Sequence, residues 1–187
     1  MQPATLDAMW SVVSQNKAPL VAFLNRKAAL MGKKQLAWQD TWAPVVVDDF
    51  QMTKKSYDEA AEFIIAHFRD FSPKMAAVAQ TAFEKRWIEA EDRPGKQPGG
   101  YMTDLPETND FRIFMTYDGT PGGVSTLAHE LGHGFHTMMI NQLPGWRQDY
   151  AMNVAETAST LAELIVVDAT VNEAQDRATK INYSIKK

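Results

Sequence analysis

The run TLAHELGHGFH, from Thr126 to His136, constrains this chain more than any other stretch. His129 and His133 are four residues apart, so on a helix they share one face about 6 Å apart along the axis, within reach of a single metal ion. Glu130 follows the first His and stands around the helix beside the ion, next to an open position for water. Chance would explain such a grouping on many helices, since His is usually a surface residue and Glu a common helix former. Two features weigh against it here. Of the four His in the chain, three (His129, His133 and His136) fall within eight residues, and His67 is far upstream. Gly132 and Gly134 each cost a helix roughly 1 kcal/mol relative to Ala, which implies that another segment approaches closely. Val124, Leu127, Ala128, Leu131 and Phe135 supply an apolar side for burial, and Gly119, Pro121, Gly122 and Gly123 mark a loop before the helix.

A catalytic zinc site takes three protein ligands and keeps a fourth position open, and H-E-x-x-H on a helix is the zinc metallopeptidase signature. The third ligand must come from elsewhere. His136 lies about 10 Å further along the axis than His129, which suits a substrate-side contact better than a ligand. In VAETASTLAELIVV, the residues Glu156, Ser159, Thr160 and Glu163 form a polar seam, while Val154, Leu161, Leu164 and Ile165 are expected to be in apolar surroundings. A solvated stripe is the plain explanation, but a carboxylate on a mostly buried helix needs a partner. Glu156 follows His133 by 23 residues, a distance suited to an antiparallel return, so Glu156 is the expected third ligand and Glu163 the alternative. Glu163, Asp149 or a backbone carbonyl are the candidates for orienting the imidazoles.

Around this helix the chain reads as mainly α with one short β-hairpin or small sheet. Helical spacing covers residues 4 to 15 and 19 to 31, with Gly32 as a C-terminal stop. LAWQDTWAPVVVDDF reads as an irregular or extended connection. Ser56 and Glu59 form a capping box ahead of AAEFIIAHF, and Ser72 with Pro73 opens a helix expected to reach about Ala90. YMTDL and FRIFMTY flank the turn-rich PETND as a hairpin, with Phe111, Ile113 and Met115 on one face and Arg112, Phe114 and Thr116 on the other. Further helices are expected from about Met152 to Asp168 and from Val171.

Composition narrows the partners. A net charge of -4 over 187 residues gives no basic footprint for nucleic acid or anionic membrane. The absence of Cys rules out disulfides and thiolate ligands and favours a reducing cytoplasm. No signal peptide and no apolar run of membrane-spanning length is read.

HELGH with GFH after it and AETAST downstream, together with PGGYMTDLP, FRIFMTYDGT and ALMGKKQLAWQDTWAPV, resembles oligoendopeptidase F of the thimet oligopeptidase group of zinc metallopeptidases. The resemblance covers most of the chain and implies a zincin-like metallopeptidase core. It implies one zinc ion bound by His129, His133 and Glu156, with Glu130 as general base in the hydrolysis of short peptides. It also implies that the hairpin borders the substrate cleft, with Gly100, Tyr101, Phe114, Thr116 and His136 as substrate contacts, and that an extended peptide adds to FRIFMTY as a strand. Members of the family are longer and two-lobed, and their later His and Tyr side chains stabilise the oxyanion. Residues 1–187 are therefore expected to be the zinc-binding catalytic core of such a protein, flanking segments supplying the rest of the cleft. The alternatives are a zinc carboxypeptidase of related fold and an inactive zinc-stabilised, peptide-binding fragment.

Overall fold

The computed structural model describes residues 2–41, 43, 45, 53–175 and 180. The closing INYSIKK and most of the connection from Trp42 to Met52 lie outside these. The chain divides into two compact units, Met1–Phe50 and Gln51–Lys187.

The first unit holds two helices, α1 (Pro3–Gln15) and α2 (Ala18–Leu30), followed by a 3₁₀ turn at Trp38–Thr41. Gly32, at φ 67°, ends α2 as expected: its N–H bonds the Ala29 carbonyl and that of Lys33 bonds Ala28. Lys27 then donates to the Thr41 carbonyl at 2.8 Å, and Lys33 pairs with Asp40 at 2.5 Å, tying the loop to the helix.

The second unit carries the site. Helix α3 (Tyr57–Phe71) begins with the complete Ser56–Glu59 capping box, and α4 (Pro73–Glu84) begins at the Ser72 cap. The second of these stops well short of Ala90. Arg86 adopts φ 56°, its N–H bonds Phe83 and that of Trp87 bonds Ala82, so a left-handed turn closes the helix without a glycine. Strand β1 (Ile88–Glu89) follows, then the hairpin β2 (Gly100–Leu105) and β3 (Asp110–Met115). The sheet order is β1-β3-β2, parallel on one side and antiparallel on the other. Phe111, Ile113 and Met115 are the buried face of β3, as the alternation predicts.

Helix α5 (Pro121–Ile140) starts earlier than expected, because Thr120 caps it and Pro121 through Gly123 form its first turn rather than a loop. Its core side, Val124, Leu127, Ala128 and Leu131, packs with Ile64, Phe68 and the β3 residues. Both mid-helix glycines are close-approach positions. A Cβ on Gly134 would lie 2.3 Å from the Phe111 ring, and one on Gly132 would lie 2.7 Å from Ser159 Cα on the α-helix that follows α5. That helix, α6, spans Thr157–Glu173 without the expected break near Asp168 and after only a 3₁₀ turn at Met152–Val154. The side of α6 that packs inward is Ser159, Ala162 and Val166; Leu161 and Leu164, read as apolar surroundings, are exposed. Small residues face small residues, so α6 lies close against α5.

Candidate metal centre

α5 and α6 run antiparallel across the site, since Ser125 and His129 meet Glu163 while His133 meets Glu156. His129 Nε2 and His133 Nε2 are each 3.2 Å from one oxygen, Oε2 of Glu156. The three ligand-type atoms lie within 4.8 Å of one another. Two imidazole nitrogens and a carboxylate at this spacing form a donor set that zinc takes, so the residues present fit the ion. The other ring nitrogen of His129, Nδ1, is 3.2 Å from Glu163 Oε2, whose second oxygen accepts a hydrogen bond from Ser125 at 2.8 Å. This fixes the His129 ring from behind.

Burial separates the two carboxylates. Glu130 is 5% exposed, and burial, reinforced by the Glu156 charge, raises its pKa above the ordinary glutamate value. His129 and the Met102 N–H act in the opposite sense. Glu156 is open to solvent and its carboxyl is held below the ordinary range, chiefly by the Ser159 hydroxyl and then by the two imidazoles, against desolvation. Burial pushes the His133 ring down, which favours the neutral form that binds a metal.

These groups line a cavity of about 610 Å³, together with Gly100, Tyr101, Met102 and Asp104 of β2 and Tyr150 from the loop before α6. Gly100 has a structural reason to be glycine: an added Cβ would stand 3.1 Å from Thr126, 3.2 Å from Met115 and 3.3 Å from Glu130 Cγ. It lets β2 lie against the metal helix.

The other expected substrate contacts fall elsewhere. Phe114 and Thr116 do not line this cavity. β3 is the central strand, paired with β2 along its length and with β1 at Ile113 and Phe114, so its second edge is taken at Phe114. Phe114 instead stacks on Tyr101 at 5.5 Å, and the Thr116 hydroxyl donates to the Gln97 carbonyl at 2.9 Å. Among the described residues, the unpaired edge beside the cavity belongs to β2. His136 packs its ring on Tyr150 at 4.8 Å rather than facing the cavity itself. Sequence reasoning missed Met102 and Asp104; with β1 recognised, the order of the sheet would have pointed to them.

A helix that carries His129, Glu130 and His133 over a small mixed sheet is answered by a glutamate from an antiparallel helix, and His129, His133 and Glu156 form a group that could hold a metal ion. The family described as Peptidase family M3 matches residues 66–187, and the chain belongs to it. It is 28% identical over 172 residues to an oligoendopeptidase F homolog of Lactococcus lactis subsp. lactis, covering 91% of this chain and 28% of that protein. Against the oligopeptidase PepF of Bacillus subtilis it is 27% identical over 143 residues, 76% of this chain and 21% of the relative. A solved structure attributed to a peptidase of Chlamydophila abortus shares the fold, with a TM-score of 0.80 at 23% identity over 100% of this chain and 31% of that one. The chain thus spans less than a third of the length of each. The resemblance to oligoendopeptidase F read from the sequence is borne out. Among the described residues no helix is long and apolar enough to cross a membrane.

Proposed function

We propose that this chain is the zinc-binding core of a cytoplasmic metallo-oligopeptidase that cleaves short peptides internally. The observation that carries the reading is the convergence of His129 Nε2 and His133 Nε2 on one Glu156 oxygen, with buried Glu130 beside them in an open cavity. Zinc held by these three residues would supply a Lewis acid, able to polarise a carbonyl and to make water more acidic.

The protein does the rest. Glu130, raised in pKa by burial, takes the proton that the attacking water gives up and returns it to the leaving amine. The outer edge of β2 aligns the peptide. Met115 pairs with Gly100 and Phe114 with Tyr101, and the Thr116 N–H bonds Gly99 O at 3.0 Å, so alternation turns the backbone groups of Met102 and Asp104 outward; the Met102 N–H meets Glu130 there, and the Asp104 N–H and both carbonyls are offered to a peptide. Backbone pairing of this kind accepts many side chains and demands an extended peptide. Because the chain spans under a third of its relatives, we assign the oxyanion donors to flanking segments of the same protein. One such donor is worth ~10²-fold or more in rate, so residues 1–187 alone should turn over slowly.

Metal analysis of the purified chain and its His129→Ala and Glu156→Ala variants tests the site; unchanged zinc content in both would remove it. In the full-length protein, Glu130→Gln should keep zinc and lose hydrolysis of an internally quenched peptide, whereas wild-type turnover by this variant would assign the base elsewhere. Cleavage of a peptide blocked at its C-terminus distinguishes an endopeptidase from a carboxypeptidase.

A further inference from the structure

We infer that Ser159 is a positioning residue that holds Glu156 in the orientation needed to complete the metal site. The inference rests on the metal-site reading above and deepens it. Glu156 occupies the N-cap of α6, where a side chain ordinarily accepts a backbone N–H from the first turn. Its carboxylate makes no such bond. Instead Oε2 accepts the Ser159 hydroxyl at 2.7 Å, shorter than the 3.1 Å to the Glu156 carbonyl oxygen, so the single hydroxyl proton goes to the carboxylate. The backbone carbonyl of Glu156 is occupied separately by the Thr160 N–H at 3.0 Å.

The two partners differ sharply in freedom. Ser159 is 0% exposed, and its Cα lies where a Gly132 side chain would begin, so α5 fixes its place. The Glu156 side chain is 64% exposed, and packing alone does not hold it. A glutamate with three rotatable bonds loses substantial rotamer freedom when it is fixed at a ligand position. The Ser159 hydroxyl links that mobile carboxylate to the rigid α5–α6 seam, on the side that presents Oε2 to both imidazoles. Gly132 contributes to the same device, because only a glycine lets Ser159 come so close. Hydrogen-bond partners that orient metal ligands are typically worth 10- to 100-fold in affinity when removed.

The test is a double-mutant cycle read by zinc affinity, with equilibrium dialysis of the intact chain against Zn²⁺ and circular dichroism to establish folding. Ser159→Ala should weaken zinc binding about 10- to 100-fold when Glu156 is present. In the Glu156→Ala background the same change should have no further effect, since Ser159 acts through Glu156. Thr160→Ala removes the neighbouring, exposed hydroxyl and should leave affinity unaltered. With Co²⁺ in place of zinc, Ser159→Ala should also alter the visible ligand-field spectrum, which loss of stability alone would not do. Wild-type affinity and spectrum for Ser159→Ala overturn the inference, as does an equal loss in both backgrounds, which would make Ser159 a structural residue. If wild type itself binds no zinc, the metal-site reading fails, and that result is distinct from either of the others.

Discussion

Replacing Gly132 by Ala sets two effects of known sign against each other. Alanine favours a helix interior over glycine by roughly 1 kcal/mol, so on propensity alone the variant should be more stable. The added Cβ, however, would lie 2.7 Å from Ala162 Cβ, 2.7 Å from Ser159 Cα and 2.8 Å from the Ala158 carbonyl oxygen. Carbon contacts are optimal from about 3.5 Å, so α6 must retreat by roughly 0.8 Å at this crossing. Two of the three opposing atoms are backbone, and no rotamer change relieves them. Overpacking costs about 1–3 kcal/mol, and the upper end applies where a helix must move. Subtracting the propensity gain leaves a net loss of about 1–2 kcal/mol in urea unfolding followed by circular dichroism. Glu156 and Glu163 move with α6, and metal sites tolerate only about 0.2 Å, so zinc affinity should fall in the same variant. Gly122→Ala is the internal control. In the first turn of α5 its Cβ would meet only Thr120 Oγ1, at 3.5 Å, so that variant should be neutral or slightly stabilised. A Gly132→Ala protein as stable as Gly122→Ala, with wild-type zinc affinity, would refute the close α5–α6 contact.

Three further outcomes follow from β2 and from the cap of α3. Asp104→Pro removes an outward N–H from the free edge of β2 and should weaken peptide binding far more than Asp104→Ala, with zinc content unchanged; equal affinities for the two variants, measured by calorimetry, would exclude strand addition at this edge. The Glu59 carboxyl is held below its ordinary pKa of 4.5 by the Ser56 N–H first and its hydroxyl second. Its stabilising contribution is therefore complete above that value and is lost as pH falls through the depressed one, so Glu59→Ala should flatten the acid limb of the stability profile. Ser56→Ala should cost about 1 kcal/mol at neutral pH in urea unfolding.

How far the sequence foretold this arrangement is best seen in pairs of cases. α2 and α4 end in the same hydrogen-bonded turn. In α2 the left-handed position holds Gly32, and the stop is legible; in α4 it holds Arg86, and nothing in the residue type announces it. The helical pattern therefore extends to about Ala90 in the sequence and covers β1. Similarly, one helix is expected to end near Asp168 and another to begin at Val171, yet α6 runs through both to Glu173, where His67 of α3 pairs with Glu173 at 2.9 Å. Propensity is a weak prior there, and tertiary contact overrides it.

The metal helix was legible for a different reason: its spacing and its glycines are both demands of geometry on residue type. Gly132 and Gly134 signalled close neighbours before either neighbour was known, and those are Ser159 and Phe111. What no local pattern conveys is which sheet edge is free. β1 contributes only Ile88 and Glu89, too few residues for any periodicity, yet it takes the second edge of β3 at Ile113 and Phe114, while β2 lines the cavity. Phe114 and Thr116, expected as substrate contacts, do not line the cavity. Their alternation was read correctly, since Phe114 does point away from the core and stacks on Tyr101, which lines the cavity. Alternation assigns faces, whereas edges are assigned by partners, and a two-residue partner is enough to take the edge of β3 at Phe114.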